Sequence, residues 1–295
     1  MTDIRRFLAA ELDPVAPEKA LFHLVPVPYE GTVSYGKGAA RGPAAILEAS
    51  DQLELWDGES VPADLGIYTR PDVDCSGDPP DVLGRVEEAV TDVLAAGGLP
   101  VLLGGEHSVT YGALAALKKR FGAFGVVQFD AHGDLRDTYD GTPWSHGCVM
   151  CRALDLGLPL AQFGVRMISL EEEKLRAARG VIAHDAAALA SLRPSEIAAA
   201  PRAAWLPPDF PEQIYVTFDV DGLDASVIPA TGTPAPGGLG WYTALELAGA
   251  CMAGRRVLGF DVVELAPVPG FLASDFAAAR LVYALMGLVQ RRSAR

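Results

Sequence analysis

Short apolar runs alternate with longer amphipathic stretches along this chain, and that rhythm limits its possible folds more than any other feature. The runs lie at 21–27, 100–105, 124–132, 161–168, 213–221 and 257–265. Each is too short for a helix and apolar almost throughout, the pattern of strands covered on both faces of a parallel sheet. Between them, apolar residues recur with helical spacing over 43–55, 81–97, 107–120, 170–178, 243–254 and 274–291. Such alternation predicts an α/β fold, a mostly parallel central sheet with helices on both faces. The Pro-rich stretch 201–213 is short enough to be a helix-to-strand loop, and the Ala-rich segment 177–204 shows no repeat. Residues 1–295 therefore read as one domain.

Ligands of an open parallel sheet bind beyond the carboxyl ends of its strands, and there the sequence concentrates its charge. The run at 100–105 leads into Glu106 and His107, that at 124–132 into Asp134, and that at 213–221 into Asp224; the last carries Asp261 and Glu264. Carboxylates massed at four strand ends repel one another unless a cation sits among them. Asp130, His132 and Asp134 fall at i, i+2 and i+4, so an extended backbone would aim all three the same way. Asp219 and Asp221 repeat the spacing, and His107 follows a Gly-Gly turn. Either cluster alone would read as a cap or turn former. Together they offer four carboxylates and two imidazoles, a ligand charge that two divalent ions balance and one does not. Two ions roughly 3.5–4 Å apart are the arrangement that activates water. Oxygen-rich ligation without thiolate suits Mn2+, with iron, cobalt or nickel as replacements.

The remaining candidates carry less. His146 stands in a loop after the Asp130 cluster, where it reads either as a structural hydrogen-bonder or as a proton shuttle at the mouth of a site. His23, inside an apolar strand, reads as core; His184, after a short strand, is assigned no role. Cys148 and Cys151 form a CxxC with no second pair to complete a zinc site, so one helical turn with two small buried residues is expected. The Gly- and Pro-rich stretch 231–238 lacks the signature of a phosphate loop and is expected to be a rigid loop lining the pocket.

Charge and composition narrow the partners. Twenty-four Lys and Arg against 38 Asp and Glu leave a net charge of −14, which argues against nucleic-acid binding and suits a cationic ligand. Four cysteines make no disulfide framework, and the N-terminal stretch lacks a signal-peptide core. The most apolar segment, 276–289, is too short for a membrane span and carries Arg280. A cytoplasmic protein with reduced thiols and no membrane partner is expected.

The ordered motifs GGEHS (104–108), FDAHGDLRD (129–137), SHG (145–147), TFDVDGLDA (217–225), TGTPAPGGL (231–239) and DVVEL (261–265) resemble those of the ureohydrolases, the family of arginase and agmatinase. Residues 27–50 resemble the opening of bacterial and archaeal agmatinases. The resemblance implies a three-layer αβα arginase-type fold, a binuclear manganese centre, and a homotrimer or homohexamer. It implies that His107, Asp130, Asp134 and Asp219 ligate the ions with His132 and Asp221 completing the set, that Glu264 binds the substrate guanidinium, and that His146 shuttles protons. Asp134 is further expected to pass on a proton of the attacking water. Three departures bear on loop shape and substrate preference: Ala225 stands where the family usually has proline, Ala230 where it usually has glycine, and 268–275 differs.

Arginases carry Asn where this chain has Arg136, in a segment that here resembles agmatinase. Arg136 reads as a structural partner of Asp137 or Asp140, or as a residue holding a substrate carboxylate. Hydrolysis of agmatine to putrescine and urea is the expected reaction, with aminopropylagmatine and guanidinobutyrate next. Two rivals are a zinc-dependent amide deacetylase, for which the adjacent histidine pair is missing, and a metal-binding homologue without turnover.

Overall fold

The computed structural model describes residues 5–293, and each of the six apolar runs supplies a strand. In chain order the strands are β1 (Phe22–Val27), β2 (Ile67–Thr69), β3 (Leu99–Gly104), β4 (Gly125–Phe129), β5 (Leu160–Phe163), β6 (Ile182–His184), β7 (Gln213–Asp219) and β8 (Arg256–Val263). They form one sheet in the order β2-β1-β3-β8-β7-β4-β5-β6, parallel at every pairing. Strand β2 was not foreseen, because three residues are too few to show a period. The short strand expected ahead of His184 runs through that residue.

Alternation along each strand separates two cores. Val101, Leu103, Val127, Phe129, Val216, Phe218 and Phe260 face one layer, packed with Ile46 of α1 (Gly42–Ser50), Leu247 of α8 (Trp241–Met252) and Leu281 of α9 (Ala273–Arg292). Val126, Tyr215 and Leu258 face the other, with Val82 of α2 (Pro79–Ala95), Leu114 of α3 (Thr110–Phe121) and Leu154 of α4 (Val149–Asp155). The sheet is thus sandwiched between two helical layers. Among the described residues no helix is long and apolar enough to cross a membrane.

Several boundaries differ from the sequence reading for local reasons. Helix α1 stops at Ser50 rather than 55: the Ser50 hydroxyl donates to Leu47 O (2.7 Å) and accepts from Leu8 N (2.8 Å), turning the helix end into a docking point for the N-terminal segment. Strand β5 ends at Phe163 rather than 168, because Gly164 adopts φ +95° and turns the chain after its N–H makes the last ladder bond, to His184 O of β6. A 3-10 turn, His107–Val109, precedes α3. Cys148 caps α4 and Cys151 lies within it, both buried, so the expected single turn is a seven-residue helix. The expected helix over 170–178 is α5 (Leu170–Ala178), and the Ala-rich segment from its end onward folds into β6, α6 (Ala186–Leu189) and α7 (Pro194–Ala199).

Two features of the sheet position the site. Strands β7 and β8 come last in the chain yet lie between β3 and β4, so the carboxyl ends of β3, β8, β7 and β4 share one crevice. Beside it, the rings of Phe218, Phe129, Phe163 and His184 stack in register across β7, β4, β5 and β6 at 4.9, 5.2 and 4.7 Å between centroids. His184 therefore has a structural role that its sequence position did not show. His23 is fully buried, with Nε2 3.0 Å from Pro17 O, as expected of a core histidine.

Candidate metal centre

Each strand in the crevice ends in a tight turn that delivers its polar side chain. After β3, Gly105 passes so close to Tyr29 that an added Cβ would lie 2.0 Å from Tyr29 O; glycine is required there, and it lets His107 turn inward. After β4, the chain bends at Ala131, bridges to Met167 at His132, and turns left-handed at Asp134 with φ +51°. The same-direction alignment expected of Asp130, His132 and Asp134 therefore fails at Asp134, which reaches the cluster from a left-handed turn. At the end of β7, Asp219 Oδ1 accepts Asp221 N–H (2.8 Å) and caps the 3-10 turn that carries Asp221. After β8, Glu264 is also left-handed at φ +66°; its N–H donates to Gly105 O (2.8 Å) and its Oε1 accepts His107 N–H (2.6 Å). Left-handed non-glycine residues are uncommon and strained, and two of them here mark a locally over-determined site.

The side chains converge in two groups that share Asp130. His107, Asp130 and Asp134 form one, and Asp130, His132 and Asp221 the other, with potential ligand atoms in each within 4.8 Å of one another. His107 Nδ1 lies 2.9 Å from Asp134 Oδ2, 3.1 Å from Asp130 Oδ2 and 3.5 Å from Asp219 Oδ2. His132 Nδ1 lies 3.1 Å from Asp221 Oδ2 and 3.5 Å from Asp130 Oδ1. A buried polar network orients the cluster from behind. His107 Nε2 is 2.8 Å from Thr217 Oγ1, and Thr217 donates to Asp261 Oδ1 (2.6 Å), which is fully buried and also receives Thr110 and Tyr215. Gln128 donates to Asp130 Oδ2 (2.7 Å) and is itself held by Gln162. Sequence reading missed this layer. The available signal was a lone carboxylate, Asp261, inside an otherwise apolar buried strand.

A cavity of about 320 Å³ opens above the cluster, lined by His107, His132, Asp134, Asp219, Asp221 and Glu264 at its floor. His146 and Arg136 line its wall, and Gly232 and Thr233 bring the 231–238 loop into it as expected. Arg136 departs from its expected partner. Asp137 pairs with Arg152 (2.5 Å), whereas Arg136 lies over the Tyr139 ring (5.0 Å) with Nε 3.9 Å from Glu172. Glu172 is already engaged by Leu135 N and Ser169 N, where it completes the cap of α5.

A profile of the arginase family matches residues 20–287. The chain belongs to the arginase family. The N(1)-aminopropylagmatine ureohydrolase of Synechocystis sp. is 40% identical over 273 residues, covering 90% of this chain and 87% of that one. The agmatinase of Pyrococcus horikoshii is 33% identical, covering 95% of this chain and 96% of that one. Among solved structures, the agmatine ureohydrolase of Thermoplasma volcanium superposes with a TM-score of 0.84 at 29% identity, over 98% of this chain and 96% of that chain. Arginase-family membership sets aside the deacetylase alternative.

Arginase-family enzymes depend on a binuclear metal centre, and the side chains here fit one. His107 Nδ1 is buried and makes no aligned hydrogen bond despite three carboxylate oxygens within 3.5 Å, the geometry of ligands converging on a cation rather than on a proton. Electrostatics agree. Burial would depress both imidazoles, yet Asp130 and Asp134 hold His107 well above its ordinary value, and Asp130 with Asp221 raise His132 to about 11. Burial, then Asp130, lifts Asp134 to about 7; burial and the carboxylates of Asp221 and Asp130 hold Asp219 well above its ordinary value. Glu264 is likewise raised by burial and by Glu106. Carboxylates this crowded hold protons unless positive charge replaces them.

Proposed function

We propose that this chain hydrolyses the guanidino group of a cationic polyamine to urea and an amine, and that its ions are two Mn2+ held by His107, Asp130, His132, Asp134, Asp219 and Asp221. The observation that carries the reading is the Glu264 carboxylate, fixed by His107 N–H at the edge of the Asp/His cluster and open to the same cavity. A planar carboxylate can pair bidentately with a guanidinium, which would bring the guanidine carbon over the cluster. A guanidinium carbon is a poor electrophile, because its charge is spread over three nitrogens. Divalent ions bound in the cluster would lower the pKa of a water to roughly 7 and so make hydroxide available near neutral pH.

The chain's own groups then manage orientation and protons. Glu264 holds the guanidinium and sets which face of it meets the attacking oxygen. Asp134 accepts the proton that this oxygen sheds. His146, on the cavity wall, takes up a proton from solvent and passes it to the departing amine nitrogen. Carbon–nitrogen cleavage then leaves urea and the free amine.

The tail of the substrate follows from Arg136. Its guanidinium is stacked on Tyr139 beside Glu172 rather than standing alone in the cavity, which disfavours arginine and guanidinobutyrate. Agmatine and N(1)-aminopropylagmatine both fit an acidic protein with a cationic tail to accommodate. The higher identity to a relative named for the aminopropyl compound favours that substrate, with agmatine second. Urea release from manganese-loaded protein, compared as kcat/KM across aminopropylagmatine, agmatine, arginine and guanidinobutyrate, tests this. A preference for arginine or guanidinobutyrate would reverse the reading of Arg136, and no urea from any of them would reject the function.

A further inference from the structure

Glu106, between Gly105 and His107, is fully buried and stands outside the metal cluster, yet it gathers three hydrogen bonds of 2.6 Å. Thr32 N donates to its Oε2, and Thr32 Oγ1 and Ser108 Oγ donate to its Oε1. Thr32 lies 74 residues earlier in the chain, on the loop whose next residues, Val33 to Gly36, line the cavity. The same Thr32 hydroxyl oxygen accepts His146 N–H (3.1 Å) and sits 3.2 Å from His146 Nδ1.

A threonine hydroxyl has one proton and two lone pairs. A backbone N–H and two hydroxyls converge on the two Glu106 oxygens at 2.6 Å, the geometry of an acceptor, and so the Thr32 proton is committed to Glu106. Toward His146, Thr32 Oγ1 can therefore act only as an acceptor. An unprotonated Nδ1 would set lone pair against lone pair at 3.2 Å, whereas Nδ1–H completes the hydrogen bond. Ser145 Oγ, 3.3 Å from the same nitrogen, can take either role and so does not oppose this. Tyr139 meets the imidazole edge-on at 5.6 Å and 84°, limiting rotation of the ring.

The geometry points to Glu106 and Thr32 as positioning residues that fix neutral His146 as its Nδ1–H tautomer, leaving Nε2 as the nitrogen that takes a proton and passes it on. The inference rests on the proton-shuttle reading of His146 for its consequence in turnover, but not for the tautomer itself. A histidine whose Nδ1 is committed to a buried acceptor chain presents the same basic nitrogen in every turnover, without a ring flip or tautomer exchange.

Two measurements test it. In protein loaded with diamagnetic Zn2+ or Mg2+, the 15N signals of His146, assigned by their loss in His146→Asn, should show a protonated, pyrrole-type Nδ1 and a pyridine-type Nε2; the reverse pattern would overturn the inference whatever the activity. In manganese-loaded protein, Thr32→Val should keep its metal content and KM while kcat falls by about 10²-fold, and Thr32→Ser should recover most of it. Wild-type kcat in Thr32→Val would overturn the positioning role. If the wild-type protein releases no urea from any guanidino compound, the functional reading fails, and the 15N pattern still decides the tautomer.

Discussion

Asp130 is the residue on which both halves of the centre depend. Its Oδ2 faces His107 and its Oδ1 faces His132, and Gln128 holds it from below. Burial would raise its carboxyl, but the two imidazoles hold it far below the usual carboxylate range. Asp130→Ala should therefore lose both ions rather than one, and urea release should fall by at least about 10²-fold; elemental analysis after manganese reloading, read beside the rate, checks this. His146 should behave in the opposite way. Burial, then His107 and His132, keep its imidazole below its ordinary value, so it is neutral near pH 7. It approaches the cluster without joining either ligand group. His146→Asn should retain two ions per chain and lose turnover by about 10²–10⁴-fold. Loss of metal in that variant would show that His146 belongs to the centre and not to proton transfer.

At the scale of the elements, Arg166 holds the site's loops together. It sits just beyond β5, where the sequence placed a strand, and its guanidinium donates to Pro236 O, Gly164 O, Asp221 O, Leu223 O and Ala235 O. One side chain thus ties the turn carrying Asp221 to the 231–238 loop. Arg166→Met keeps the aliphatic stem but removes these bonds, and should lower stability by about 1–3 kcal/mol and weaken manganese binding. Urea denaturation and metal titration of the variant check both. What the sequence showed and what it hid divide along this line. Six of the strands were legible because they are buried on both faces, and His107, Asp130, His132, Asp219 and Asp221 because they lie at or just beyond the ends of such runs. The partners of Arg166, Thr32, Glu106 and Asp261 were not, since they lie in other segments and no period along the chain records a contact across the fold. The left-handed turns at Asp134 and Glu264 were hidden too, for neither residue type announces a positive φ.

For the whole molecule, ion binding and stability are one equilibrium. In the metal-free protein His132 is raised to about 11 from 6.5, so its contribution is full below pH 6.5 and is lost as pH climbs toward 11. Asp134, raised to about 7 from 3.8, loses its contribution between those values. Both groups bind more protons folded than unfolded, so the metal-free protein should melt at a lower temperature at pH 9 than at pH 6. Manganese reverses the trend, because its ligands must be deprotonated. The rise in Tm on adding manganese should therefore be larger at pH 9. Calorimetry of chelator-treated and reloaded protein checks this, and an unchanged metal effect across that range would mean the cluster is not the binding site.

The late insertion of β7 and β8 into the middle of the sheet also bears on how the chain is made. When β4 leaves the ribosome, the β3 segment has already emerged, but in the finished sheet the two are not neighbours: β8 and β7, not yet synthesised, belong between them. β8 is completed about 130 residues after β4, an interval of about 7–25 s at ordinary translation rates. Until then β3 and β4 lack the strands that separate them in the finished sheet, and Asp130 lacks first Asp219 and then Glu264. Nascent chains stalled before β8 should accordingly recruit chaperones and retain no manganese, while released full-length chains bind it. Pulldown of stalled ribosomes with metal analysis separates the two. Capture of the ions then becomes a late event of biosynthesis, available only to a chain that has been read past β8.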